Sequence, residues 1–467
     1  MSEINLNTPE PVMKNVTMCA EVTVKTACAS VSDTDSMEVI PEDSIEVIAG
    51  MFFDGTYNNK NNVIVGMAQK NAGTFKNDSK DTSYDFDFSN IARGERAYNE
   101  EYSDKLLRFK IYIEGIGTED NEKDVVILGG GAAVSSTGIT AKVKKGCKRL
   151  AEKIAEHAGG RKIWRLTVDS FGFSRGAAAA RNFIHEISKR EGSTLKENYG
   201  ELGKQLASND VEEVRSISIR FTGLYDTVAS YGAIRHSNDT PQLNLAAVAK
   251  SLHVLQLVAD DEHRENFRLT NINSAGGVEK FLPGVHADIG GGYTDNTHED
   301  IILDYKLIVP GSSSANKEME KEREYFIEQG WYNEKQLLIT NEIRKSLVPP
   351  FFFRTKVLGA NRMVASKEYS YIPLHIMTKY AIDKNVDFDM EEINKHQISG
   401  DLSGIKTRLE NYVMNNDDSK KLSYDNPEDK ELVKWLRNIY LHFSSHYQGI
   451  IETNKPALGR ERGENNG

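Results

Sequence analysis

The sequence predicts an α/β protein: a mostly parallel sheet with helices on both faces, followed by a C-terminal helical region. Three observations carry this. Between 45 and 305, apolar runs of strand length alternate with helically spaced segments. Four of those runs end in polar or glycine-rich turns bearing reactive side chains, which is where parallel sheets gather their chemistry. Beyond 305 the texture changes to charged helical patterns such as NKEMEKEREYFIEQG, NEKQLLITNEIRKSL and DKELVKWLRNIYLHF.

In chain order, IEVIAGMFFDGTYNN is an apolar strand entering a Gly/Asn turn, and RFKIYIEGIGT repeats that design. Ile139 to His157 has the spacing of an amphipathic helix, with Val143, Leu150 and Ile154 on one stripe. KIWRLTVDSFGFS reads as a strand and GAAAARNFIHEISKR as the helix after it. SISIRFTGLYDTVAS is a further strand ending in a polar turn. LAAVAKSLHVLQLVA, 245–259, reads as an amphipathic helix, and VEKFLPGVHADIGGGY as a strand running into a glycine loop. The expected divisions are an arm at 1–44, a catalytic domain at 45–305, a mostly helical region at 306–452 and a flexible tail at 453–467. The arm is either a small hairpin or a poorly ordered tail.

Composition narrows the function classes. The chain has 467 residues, 39% hydrophobic and 27% charged, which is ordinary for a soluble globular protein and ample for a large core. With 58 basic and 69 acidic residues the net charge is −11, so the molecule as a whole is repelled by nucleic acid and by anionic lipid. Cys19, Cys28 and Cys147 form no paired or His-flanked cluster, so neither a disulfide framework nor a zinc finger is expected. No apolar run approaches the roughly 18 residues of a membrane span. The start, MSEINLNTPEPVMKNVT, lacks the basic and apolar stretches of a secretory leader. Synthesis in the cytoplasm is expected, with any export by a leaderless route.

The sharpest motif is Gly172-Phe-Ser-Arg-Gly176. A GxSxG pattern has meaning where a strand turns abruptly into a helix, and IWRLTV and AAAARNFIHEI supply both flanks. Such a turn forces strained dihedrals on the serine, and Gly172 and Gly176 remove side chains that would collide there. Ser174 would then stand at a helix N-terminus that favours an oxyanion. A serine nucleophile needs a general base, and the base a carboxylate. Among eleven histidines, His286 follows a strand, as does Asp226, and both have the chain order Ser, Asp, His. The rivals are His253, His263 and His298 for the base and Asp288 for the acid; Asp226 alternatively serves as a turn aspartate and His286 as a structural histidine. The oxyanion donors expected are the backbone N–H of Arg175 and one near Gly55, with Gly115–Gly117 as the alternative for the second. The Asp54 side chain is read as fixing its turn. No metal is expected: His286, Asp288 and Asp295 lack a second histidine or a calcium-loop spacing. The GGGY loop at 290–293 lacks the lysine of a phosphate cradle.

Together, FFDGTYNN, YIEGIGT, DSFGFSRGAAAAR, GLYDTVAS, DDEHRENF and LPGVHADIGGGY, in this order, resemble the GFSRG-type lipase effectors of bacterial type VI secretion, part of a wider family of α/β-hydrolase proteins. The resemblance covers about residues 47–300 and continues weakly at YSYIPLHIM and YLHFSSHY. It implies an α/β-hydrolase fold, a triad of Ser174, Asp226 and His286, and hydrolysis of phospholipid acyl esters without a cofactor. It also implies an antibacterial toxin delivered into rival cells, neutralised in the producer by an immunity partner. Residues 1–44 are then either a spike-docking element or an irrelevant tail. Two other readings stay open: a hydrolase of another ester, such as a lysolipid or small acyl ester, and an inactive delivery module. Pro349–Arg354, PPFFFR, is either an aromatic segment for transient membrane contact or a buried strand.

Overall fold

The computed structural model describes residues 40–75, 82–125, 138–229, 240–311, 313–345, 352–447 and 455–467. Residues 1–39 of the expected arm at 1–44, and Pro349–Phe351, lie outside them. A seven-stranded sheet forms the centre, in the order β2-β3-β1-β4-β5-β6-β8. Its strands are β1 (Ser44–Phe53), β2 (Glu101–Tyr102), β3 (Leu106–Ile113), β4 (Lys162–Phe173), β5 (Ile217–Tyr225), β6 (His253–Ala259) and β8 (Val278–Leu282). All neighbours run parallel except β2, which pairs antiparallel with β3.

Alternation along the strands divides the core. On β1, Ile45, Val47, Ala49, Met51 and Phe53 face one side, packing with the helices Ile139–Ala158, Arg175–Ile187 and Gly200–Ser208. Phe52 faces the other side, covered by the helices Asn90–Ala97, Tyr371–Asp383, Gly400–Met414 and Lys430–Ile439. Helices thus cover both faces, as an all-parallel run of strands requires.

Three sequence expectations differ from the structure. First, 245–259 is not a helix: Leu245–Lys250 is a 3₁₀ segment and His253–Ala259 is strand β6. A strand buried on both faces is apolar throughout, and a continuous apolar run satisfies helical spacing as well as strand spacing. Second, the mostly helical region after 305 also contains strands that the sequence did not predict. A three-stranded antiparallel sheet, β10-β11-β9, is built from β9 (Thr297–Leu307), β10 (Leu337–Lys345) and β11 (Phe352–Val364). NEKQLLITNEIRKSL therefore supplies a strand, because β10 pairs with β11 along its whole length. The expected boundary at 305/306 falls inside β9. Third, 455–467 is not a loose tail. Its β12 (Glu464–Asn465) pairs with β7 (Leu269–Thr270), and Gly467 is buried. Hydrophilic composition hides this, because the segment is held by backbone bonds and charge rather than by an apolar stripe.

Among the described residues no helix is long and apolar enough to cross a membrane.

The strand-to-helix turn dictates the tightest packing. A Cβ on Gly176 would stand 2.2 Å from the Asp54 carbonyl oxygen and 2.4 Å from that of Phe53. Gly176→Ala is expected to destabilise the protein by about 2 kcal/mol or more in urea denaturation, since rigid backbone must move. Gly404→Ala, at an exposed position of the helix Gly400–Met414 with no atom within 4 Å of the added Cβ, should stabilise by about 0.5–1 kcal/mol.

Candidate active site

Ser174 joins β4 to the helix Arg175–Ile187 with φ 59° and ψ −127°, a conformation that L residues avoid. Two glycines make the turn possible. On Gly172 a Cβ would lie 2.5 Å from Ala177 Cα, and Gly176 has the clashes described above. Ala177–Ala180 are fully buried, letting the helix lie against the sheet. Ser174 itself is 5% exposed. Its backbone N–H donates to Tyr225 O at 3.0 Å, which fixes it beside the end of β5.

Asp226 follows β5 at once, also at positive φ, 46°. His286 opens the short helix His286–Gly290, just after β8. Their side chains meet directly: His286 Nδ1 lies 2.5 Å from Asp226 Oδ2. The imidazole packs against Phe173, with ring centroids 4.6 Å apart, and Phe267 meets it edge-on at 4.9 Å. Ser174 follows Phe173 in the chain, so the serine, aspartate and histidine share one edge of the sheet. The imidazole's side-chain hydrogen bond goes to Asp226; among the described residues none joins it to Ser174 Oγ.

Burial alone would push the Asp226 carboxyl up, but Arg462 and His286 outweigh it and hold the group down at about 2. Arg462 grips the carboxylate with both nitrogens, Nη1 to Oδ1 at 2.7 Å and Nη2 to Oδ2 at 2.8 Å. Ala259 N–H adds a bond to Oδ1 at 3.0 Å. For His286, burial pushes the imidazole down against the upward pull of Asp226, which favours the neutral base.

The loop that carries His286 is pinned by the acidic run DDEHRENF. Asp261 Oδ2 accepts from Gly284 N at 2.8 Å, and Glu262 Oε2 accepts from His286 N at 3.3 Å. Each buried acid has its own cation: Arg437 on Asp261 at 2.7 Å and Arg264 on Glu262 at 2.9 Å. Sequence reasoning gave these residues no role, and missed Arg462 entirely. The run of three adjacent acids followed by arginine was the available signal for the first group; Arg462 had none.

The rivals stand elsewhere. Asp288 bonds His442 Nδ1 at 2.7 Å and caps Val285 N at 3.0 Å. His253 begins β6, at the far end of that strand from Asp226, and His298 Nε2 lies 3.2 Å from Asn361 Oδ1. His263 is on the acidic run, its carbonyl accepting from Ala457 N. The two alternatives for the second oxyanion donor adjoin each other, since a Cβ on Gly115 would stand 1.8 Å from Gly55 O. Gly55 N–H donates to Asp54 Oδ1 at 2.7 Å, and Asp54 Oδ2 accepts from Ser89 Oγ and Tyr112 OH. Arg175 Nε reaches Thr56 Oγ1 at 2.7 Å, tying the serine turn to the same loop.

Residues 185–309, which include Asp226 and His286, match the family model of the type VI secretion phospholipase effector Tle1-like catalytic domain. The chain resembles the Tle1-like effectors. A solved structure of a Tle1 effector bound to the VgrG spike of the type VI secretion system aligns over 94% of this chain and 98% of that one, at 21% identity and a TM-score of 0.62. The likeness to that structure is one of fold, over nearly the whole chain. An uncharacterised protein from Pseudomonas aeruginosa aligns over 80% of this chain and 51% of that one, at 18% identity and a TM-score of 0.38. Against curated proteins the sequence finds no significant match.

The Asp226 carboxyl lies below the ordinary aspartate value of about 4, so its contribution to stability is complete above about pH 4 and is lost as the pH falls through about 2. Asp226→Asn leaves Arg462 buried without its anion and should lower stability at pH 7 by about 3 kcal/mol. Denaturant titrations should show that gap closing as the pH falls from about 4 to about 2.

Proposed function

We propose that this protein is a serine esterase of the phospholipase A type, acting on membrane phospholipids as an antibacterial type VI effector. The observation that carries the reading is the buried Asp226–His286 pair, 2.5 Å apart, at the sheet edge where Ser174 is held at positive φ. The match of 185–309 to the Tle1-like catalytic domain supports the substrate class.

In this mechanism Asp226 accepts a hydrogen bond from His286 Nδ1–H, which fixes the tautomer and leaves Nε2 free to take the hydroxyl proton of Ser174. Ser174 Oγ attacks the acyl carbonyl carbon. The N–H of Arg175, in the first helical turn and without an intrahelical acceptor, stabilises the oxyanion. Gly55 is the proposed second donor. An oxyanion there competes with Asp54 Oδ1, which accepts the same N–H at 2.7 Å. Collapse of the intermediate passes the proton from His286 to the leaving alcohol, and water activated on the same histidine releases the fatty acid.

The related Tle1 structure contains a VgrG spike, and we extend that mode of delivery, together with an immunity partner in the producing cell, to this chain. Synthesis in the cytoplasm and leaderless transfer into a target cell follow from it. Transient membrane contact through the PPFFFR segment remains part of the reading.

Incubation with phospholipid vesicles followed by lipid mass spectrometry should show fatty acid and lysolipid accumulating with the wild type. Ser174→Ala should lower that release by about a thousandfold or more with little change in melting temperature. Undiminished release from a folded Ser174→Ala variant would refute the assignment.

A further inference from the structure

The segment 455–467 is fastened along the stretch that flanks the candidate site. Glu265 N donates to Lys455 O at 2.9 Å, Ala457 N to His263 O at 2.7 Å, Leu269 N to Gly463 O at 2.9 Å and Asn271 N to Asn465 O at 3.1 Å. Arg462 Nε donates to Phe267 O at 2.8 Å, and the Phe267 ring meets the imidazole of His286. From this anchorage the Arg462 guanidinium crosses to Asp226 and binds both carboxylate oxygens, with Ala259 O accepting from the same Nη1 at 3.2 Å. Asp226 is thereby fixed from three sides: Ala259 N–H, the guanidinium and His286.

We propose that Arg462 is a positioning residue for the esterase, carried into the site by the segment 455–467, and that it orients Asp226 and balances its charge so that His286 works as a neutral base. This rests on the reading of Asp226 and His286 as the acid and base of the reaction. The bidentate grip restricts rotation of the carboxylate, so Oδ2 stays aimed at Nδ1. A guanidinium on the far side of the carboxylate also opposes protonation of the imidazole, because a second cation beside the ion pair is repelled at short range. The other charges facing His286 are Glu262, which favours the imidazolium, and Arg264, which opposes it. Those two form their own ion pair, whereas Arg462 is the cation held directly on the Asp226 carboxylate. A protein whose segment 455–467 is unseated would keep its serine, histidine and aspartate and still work poorly.

The test uses the full chain with Arg462→Gln and Arg462→Lys. The readouts are hydrolysis of a soluble p-nitrophenyl acyl ester across pH, and NMR titration of histidine-labelled protein with His286 assigned by substitution. Arg462→Gln should lower kcat about tenfold or more while KM stays within about twofold. The acid limb of kcat/KM, and the His286 titration, should move up by about one pH unit. Arg462→Lys should keep the charge but lose the planar grip, restoring the acid limb while kcat stays about fivefold low. A folded Arg462→Gln protein with wild-type kcat and acid limb overturns the proposal. If that variant does not fold, Arg462→Lys decides, and a wild-type kcat there overturns it. His286 titrating higher in Arg462→Gln while even the wild type cleaves no ester supports the coupling and sinks the esterase reading.

Discussion

A strand that becomes a helix at a single residue constrains everything around it. At Ser174 the chain reverses at positive φ, and the following helix is pressed so close that Gly176 touches the carbonyls of Phe53 and Asp54. That contact locks the end of β1 to the start of the helix. In the sheet, Phe53 pairs with Gly172 and Phe173 with Tyr225. Three neighbouring parallel strands therefore end in register, and the residues just beyond them, Asp54, Ser174 and Asp226, stand side by side. Only His286 must be delivered by a loop, and that loop is pinned by Asp261 and Glu262.

Burial makes the pinning an electrostatic problem as well. Asp226, Asp261 and Glu262 lie within the protein, where an unpaired carboxylate would be strongly disfavoured. Each has an arginine, and each pair comes from a different part of the chain: Arg462, Arg437 and Arg264. Such pairs add little net stability compared with apolar packing. They hold directions instead: Asp261 and Glu262 accept from backbone N–H groups of the loop that carries the imidazole, and Asp226 accepts from the end of β6.

Legibility in the sequence followed the range of the forces involved. The serine turn was readable because its cause is local, two glycines and four alanines around one strained residue. The placement of Asp226 and His286 was readable from the rule that parallel strands deliver side chains at their carboxyl ends, although His286 sits in a helical turn rather than on the strand itself. The strand β6 was misread because burial on both faces erases its period. The second sheet was hidden because its strands are half polar and bond through backbone. Arg462 was invisible for a different reason. Its partner lies 236 residues away, and its surroundings, GRERGENNG, have the composition of a solvated tail.

The same arginine sharpens what the charge balance asks of the site. His286 is 5% exposed, so water does little to stabilise an imidazolium there. Asp226 pulls the imidazole toward its charged form, while burial, the larger influence, holds it below its ordinary value. Sharing the carboxylate with Arg462 divides its negative charge between a permanent cation and a transient one. In the mechanism proposed above the histidine rests neutral, with Phe173 and Phe267 packed against its ring, and takes a charge as the serine gives up its proton. Under that reading, proton transfer would take place among side chains that are almost wholly buried, Ser174 and His286 each being 5% exposed.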